Sequence, residues 1–313
     1  MLVLLIVALG PIFAVGLIFW PSITATTTSA ATVAMFATAL VGWLNGIQFP
    51  AIYIAAVVGI VATGASPLAS AIIVAAVAIA MGLYGSAGLA IVAVQIATSI
   101  PFVVAEPPEV SSAGGYLQLI VGLTVASTWG IFLGWLVRRF VPMAEPPRQG
   151  VQWIPGVVAG LSLAAVGGSV TYYSQVSLAG TMWAWVLLTF FMLVKPDSTF
   201  NLPKISQRVA GTLVGSALAT IVIVSGLPIT LQPILVIVLL AVALTILVSG
   251  KPYWMFVTTL TPAVILMHTG KENPLSVLEE RIGYTLVGAV LAIALGVLIN
   301  FMIDKLPKSA DQN

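Results

Sequence analysis

The chain reads as a succession of apolar stretches of bilayer-spanning length, separated by proline and glycine punctuation, short polar clusters or charge. A helical span needs about 20 mostly apolar residues, within a range of roughly 17 to 25. Twelve windows meet that need, at residues 2–19, 29–46, 50–65, 67–84, 86–104, 116–137, 152–172, 178–194, 208–226, 230–249, 253–268 and 282–303. Between residues 49 and 90 only Gly64, Ser66, Pro67, Gly82 and Gly85 interrupt the apolar run, so ten or eleven spans also fit. The pattern predicts an all-α, polytopic transmembrane bundle of about 12 helices.

Composition makes lipid the solvent. Only 20 of 313 residues are charged (11 Lys or Arg, 9 Asp or Glu), mean hydropathy is +1.15, and the first charged side chain is Glu106. A stretch of 105 residues without charge cannot cover a water-facing surface. The net charge of +2 gives no footprint for nucleic acid, and the absence of cysteine excludes disulfides, thiolate metal sites and a cysteine nucleophile. A single histidine forms no metal cluster, and the sequence has neither a phosphate-binding loop nor a catalytic triad pattern. No enzyme activity, cofactor or metal is expected. Residues 1–20 have no basic residue ahead of the apolar run and resemble the later spans, so the first helix is expected to stay in the protein.

Lys and Arg are retained on the cytoplasmic side of a membrane. With twelve spans and both termini inside, the inner loops hold Arg138, Arg139, Arg148, Lys195, Lys204, Arg208, Lys251, Lys305 and Lys308, nine of the eleven basic residues. The outer loops then hold Glu106 and Glu109, and the cluster Lys271, Glu272, Glu279, Glu280 and Arg281. This fixes the expected location as the inner (plasma) membrane with cytoplasmic termini. The basic stretch around residues 140–151 divides the chain into a first transmembrane half (1–139) and a second (152–304), with a cytoplasmic tail at 305–313. The segments 120–139 and 281–299 align at an offset of 161, pairing Gly122 with Gly283 and Thr124 with Thr285. Two parallel six-helix halves are expected, with a ligand path at their interface.

Few residues offer chemistry. Arg208 opens an apolar helix after the polar stretch KPDSTFNLPKISQR, which also holds Asp197. It is either an orientation anchor or a bidentate contact for a carboxylate. Gly211 and Gly215, four apart, form a small-xxx-small ridge suited to close helix packing, or to backbone access beside a pore. Lys251 with Tyr253 and Trp254 either joins an interfacial aromatic belt, with Trp20, Trp43, Trp153, Trp183 and Trp185, or binds an aromatic anion. His268, with Glu279, Glu280 and Arg281, is either a solvated outer rim or a proton-coupling group.

The stretch WVLLTFFMLVKPDSTFNLPKISQRVAGTLVGSALAT, then KPYWMFVTTLTPAVIL and VLEERIGYTLVGAVLAIALGVLI, resembles the fusaric acid resistance-like inner-membrane transporters, relatives of bacterial aromatic carboxylic acid exporters. The family pattern Arg-x-x-Gly-Thr-x-x-Gly falls on Arg208, Gly211, Thr212 and Gly215. The later Arg-x-x-x-Thr-x-x-Gly falls on Arg281, Thr285 and Gly288. The similarity covers roughly residues 180–303. It implies a permease exporting small organic anions, in particular aromatic carboxylates, with energy from the proton gradient. The short linker, without the large cytoplasmic domain of long family members, implies a HlyD-type periplasmic adaptor and an outer-membrane channel as partners. An anion channel, a non-transporting scaffold of such an assembly and a homo-oligomer stay open at this level.

Overall fold

The computed structural model describes residues 23–140, 150–179, 181, 183–194, 202–226, 235–236, 238–239, 242–243, 245–246, 249, 251–268 and 274–304. The described chain is helical, without strands. Its helices are α1 (Thr24–Val41), α2 (Trp43–Gly46), α3 (Gln48–Ala62), α4 (Pro67–Ser86), α5 (Ala90–Ala105), α6 (Ala113–Phe140), α7 (Trp153–Ser177), α8 (Ala184–Leu193), α9 (Leu202–Val224), α10 (Tyr253–His268) and α11 (Pro274–Asp304). Six helical segments among the described residues are long and apolar enough to cross a bilayer. The predicted spans at 2–19 and, for the most part, 230–249 lie outside the described residues.

Helices dominate because lipid offers backbone groups no partner, so each segment must satisfy its own amides and carbonyls. Hydroxyls on apolar helices follow the same rule by bonding back one turn: Thr124 Oγ1 donates to the Ile120 carbonyl at 2.7 Å and Thr171 Oγ1 to Gly167 at 2.7 Å. The predicted span 29–46 is in fact broken at Gly42, whose φ of +81° stops α1. The reverse happens at the last span. It begins at Pro274 and not near residue 282, so Glu279, Glu280 and Arg281 lie within α11.

The polarity of α9 is inside out relative to a soluble bundle. On α9 the exposed positions are Leu213, Val214, Leu218 and Ile221, while Arg208, Gly211, Thr212, Gly215, Ser216 and Ala219 are buried. The apolar face meets lipid, and small residues meet the neighbouring helix, as expected where no hydrophobic drive separates protein from solvent.

Glycines set the helix pairs and their directions. A Cβ on Gly211 would stand 2.8 Å from the Trp254 carbonyl oxygen, and one on Gly215 would stand 2.7 Å from that of Thr258. Both partner numbers rise together, so α9 and α10 run parallel. A Cβ on Gly288 would stand 2.5 Å from the Val186 carbonyl oxygen, and Tyr284 Oη donates to Thr181 Oγ1 at 2.8 Å, so α11 runs parallel to α8. α8 and α9 are antiparallel, because Lys204 reaches the Met192 carbonyl while Arg208 reaches Thr189. It follows that α9 and α11 are antiparallel. In the first half, a Cβ on Gly134 would stand 2.5 Å from the Met35 carbonyl oxygen and 2.7 Å from Thr38 Cβ where α6 packs on α1, and one on Gly82 would run into the Gly160 backbone where α4 crosses α7. The contacts of Gly130 with Ala31 and Ala34, and of Gly134 with Met35 and Thr38, have the form of that of Gly288 with Val186 and Thr189.

A candidate anion site at two buried arginines

The centre of the second half is organised by α8, a helix of ten residues in which only Met192 is not fully buried. At 1.5 Å per residue it is about 15 Å long, half a bilayer. It presents Trp185 and Thr189 to the two longest buried side chains of the protein, Arg208 and Arg281, both at 0% exposure.

Arg208 lies in the second turn of α9. Its Nη1 donates to Tyr253 Oη at 3.2 Å and its Nη2 to Thr189 Oγ1 at 3.5 Å, while its Nε has no partner. Arg281, on α11, stacks with its guanidinium carbon 3.3 Å from the centre of the Trp185 ring, and none of its three nitrogens has a hydrogen-bond partner. Both guanidinium groups lie against α8, at Thr189 and at Trp185 one turn before it. No described carboxylate pairs with either. The Trp185 indole N–H and the hydroxyls of Thr212, Ser216, Thr258, Thr261 and Thr285 are also buried without a partner.

Such a centre is electrostatically unfinished. A buried ion costs several kcal/mol after relaxation and is normally paired, and intramembrane ionisable groups face the bundle interior where they mark ion or substrate paths. Here two like charges share one region, surrounded by unpaired N–H and O–H donors. The arrangement calls for an acceptor with negative charge, and planar guanidinium forks match a carboxylate in two parallel bonds.

The structure sorts the residues singled out in the sequence. Arg208 and Tyr253 come together as one hydrogen-bonded unit, and Tyr253 also lies under Lys204, whose Nζ is 5.1 Å from the ring centre. Lys251 is exposed and Trp254 is 44% exposed, so neither enters the centre. Asp197 lies outside the described residues, as does the side chain of His268, the last residue of α10. Glu279 is exposed and Glu280 half-buried. Arg281 does not share a solvated outer rim with them. Next to Glu280 along α11 but on the buried face, it points inward onto Trp185. Gly211, Gly215 and Gly288 are packing positions, and Thr212 and Thr285 face each other across a narrow crevice between α9 and α11. Trp183 and Trp185 are not belt residues, being 2% and 4% exposed, because α8 is enclosed by its neighbours; Trp185 also meets Phe102 edge-on at 4.7 Å. Trp43 and Trp153 are exposed, as a belt requires. Thr189 and Thr261 were not anticipated as site residues. The arginine-bearing helices they face carry a match that the sequence shows, RVAGTLVGSALA at 208–219 and RIGYTLVGAVLA at 281–292, with seven of twelve positions identical at an offset of 281 − 208 = 73.

Residues 164–295 match the family model described as fusaric acid resistance protein-like. The similarity covers 132 of the 313 residues, less than half of the chain. It runs from within α7 into α11 and contains both buried arginines, the whole of α8 and every glycine that joins α8 to α11 or α9 to α10. Neither the curated proteins nor the solved structures contain a match to the chain. The matched region and the apolar helices together point to a multi-pass membrane protein.

Proposed function

We propose that the protein is a permease that moves small organic anions out of the cell, with Arg208 and Arg281 as the groups that bind the anion. The observation that carries this reading is the pair of fully buried guanidiniums without a described counter-charge. Family resemblance favours aromatic carboxylates, and Trp185 with Tyr253 supplies aromatic faces beside the charges. In this reading the carboxylate takes the free edge of Arg281 and the Nε of Arg208, and replaces water around two charges that are otherwise unpaired. Proton coupling, at His268, Glu279 or Glu280, and delivery to a HlyD-type periplasmic adaptor and outer-membrane channel complete the proposal.

The test is benzoate binding to the purified protein, read by tryptophan fluorescence, alongside efflux of labelled benzoate from preloaded cells. Arg208→Gln and Arg281→Gln should each abolish both signals while leaving the amount of membrane-inserted protein unchanged. Wild-type binding and efflux in both variants would refute the assignment. Binding without efflux in the intact protein would favour a scaffold.

A further inference from the structure

The match at an offset of 73 is reproduced in three dimensions. Arg208, Thr212, Gly215, Ser216 and Ala219 are buried on α9, and Arg281, Thr285, Gly288, Ala289 and Ala292, each 73 residues later, are buried on α11. Gly215 packs on the Thr258 carbonyl and Thr261 Cβ, and Gly288 packs on the Val186 carbonyl and Thr189 Cβ. Both partners are therefore shifted by the same 72 residues. The crevice between α9 and α11 is lined by Val209, Thr212 and Leu213 from one helix and by Ile282, Thr285 and Leu286 from the other, three pairs at the same offset. A crevice lined by the same three positions of two antiparallel helices lies on a two-fold axis perpendicular to them. The unit α8–α9 is thereby related to α10–α11 with its direction reversed, which is the arrangement in which ligand sites form at repeat interfaces.

The two copies are not in the same state. Arg208 donates to Thr189 of its own copy and to Tyr253 of the other. Its counterpart Arg281 is not held by Thr261, the residue equivalent to Thr189. It crosses to the other copy and stacks on Trp185, and the buried Thr261 hydroxyl is left without a partner. We infer that α8–α9 and α10–α11 form an inverted repeat whose two arginines exchange roles, and that Thr261 is the hydroxyl that receives Arg281 when the site opens to the opposite side of the membrane. In the alternate state Arg281 donates to Thr261 Oγ1 and Arg208 leaves Thr189, so that the crevice changes the side it faces. The functional part of this inference rests on the anion-permease reading. The symmetry does not.

The absence of cysteine makes the test direct, since a single introduced thiol has no background. Val209→Cys and Ile282→Cys place a thiol at equivalent crevice positions, one near each end. With a membrane-impermeant thiol reagent applied to spheroplasts and to inverted vesicles, the two cysteines should be reached from opposite sides. Labelling of both from the same side only would overturn the inverted repeat, and this measurement needs no threonine variant. Thr189→Val and Thr261→Val, introduced separately, should shift the ratio of the two labelling rates in opposite directions by about tenfold, the effect of losing one hydrogen bond to a charged group in one of two states. The Ser variants should restore the wild-type ratio. Shifts in the same direction, or none, would overturn the exchange. Benzoate should slow labelling at both positions; if it fails to do so while opposite-side labelling stands, the anion reading falls and the repeat survives.

Discussion

A methyl group at Gly215 separates helix packing from every other role of the small-residue ridge. The added Cβ would lie 2.7 Å from the Thr258 carbonyl oxygen, 2.7 Å from Thr261 Cβ and 3.2 Å from Pro262 Cδ. Carbon rarely approaches these atoms so closely, and a backbone carbonyl cannot turn aside as a flexible side chain can. α9 and α10 must separate along their shared seam. Gly283 offers an internal control, because a Cβ there meets nothing within 4 Å. Both glycines lie inside helices, so Ala gains the same propensity of about 1 kcal/mol in each case. The difference between Gly215→Ala and Gly283→Ala therefore isolates overpacking, at about 1–3 kcal/mol, or roughly one to two orders of magnitude in the folded-to-unfolded ratio. The assay is thermal unfolding of the purified protein in detergent, followed by size exclusion, together with the amount inserted in membranes. Gly283→Ala should match or exceed wild type, and Gly215→Ala should melt clearly below it. Equal stability of the two variants would refute the close α9–α10 seam.

Three further outcomes follow from the same geometry. Arg208→Ala should lose benzoate efflux while Lys251→Ala retains it, although each removes one positive charge next to a span; equal mild losses would reduce Arg208 to an orientation anchor. Trp185→Leu should lower detergent stability by about 2 kcal/mol, the value of a desolvated cation–π contact, while Trp185→Phe keeps most of it; equal stability of the two would show that Arg281 gains nothing from the ring. A reporter active only in the periplasm and fused after Asn313 should be silent, because nine of eleven basic residues then lie inside; activity there would reverse the topology.

Hydropathy reveals how much of the chain lives in lipid, and the apolar windows at 67–84, 86–104, 116–137 and 253–268 coincide closely with α4, α5, α6 and α10. It is less informative about faces and ends. Trp185 has the sequence context of an interfacial residue, near the end of an apolar run, yet a ten-residue helix enclosed on all sides has no interface to offer it. Glu279, Glu280 and Arg281 look like a charged loop because charge density usually marks the end of a span. Pro274 starts the helix two turns earlier, and the 3.6-residue period then directs Glu279 to solvent and Arg281 to the interior. The decisive similarity was present in the chain but at an unexpected spacing. A comparison of halves tests offsets near 160, whereas the repeat that carries chemistry recurs at 73, inside one half.

In the first half α6 packs on α1 through the same kind of glycine seam, at Gly130 and Gly134, with Ser127 three residues before the first of them. Ser127 is buried at 5% exposure and its hydroxyl has no partner. The small-residue seam is kept in both halves because close helix contact requires it wherever lipid is the solvent. The charge is present only where something must neutralise it. A buried arginine without a carboxylate is costly to retain, and in this chain that cost falls twice within one inverted pair of helices, at the positions where a bound anion would remove it.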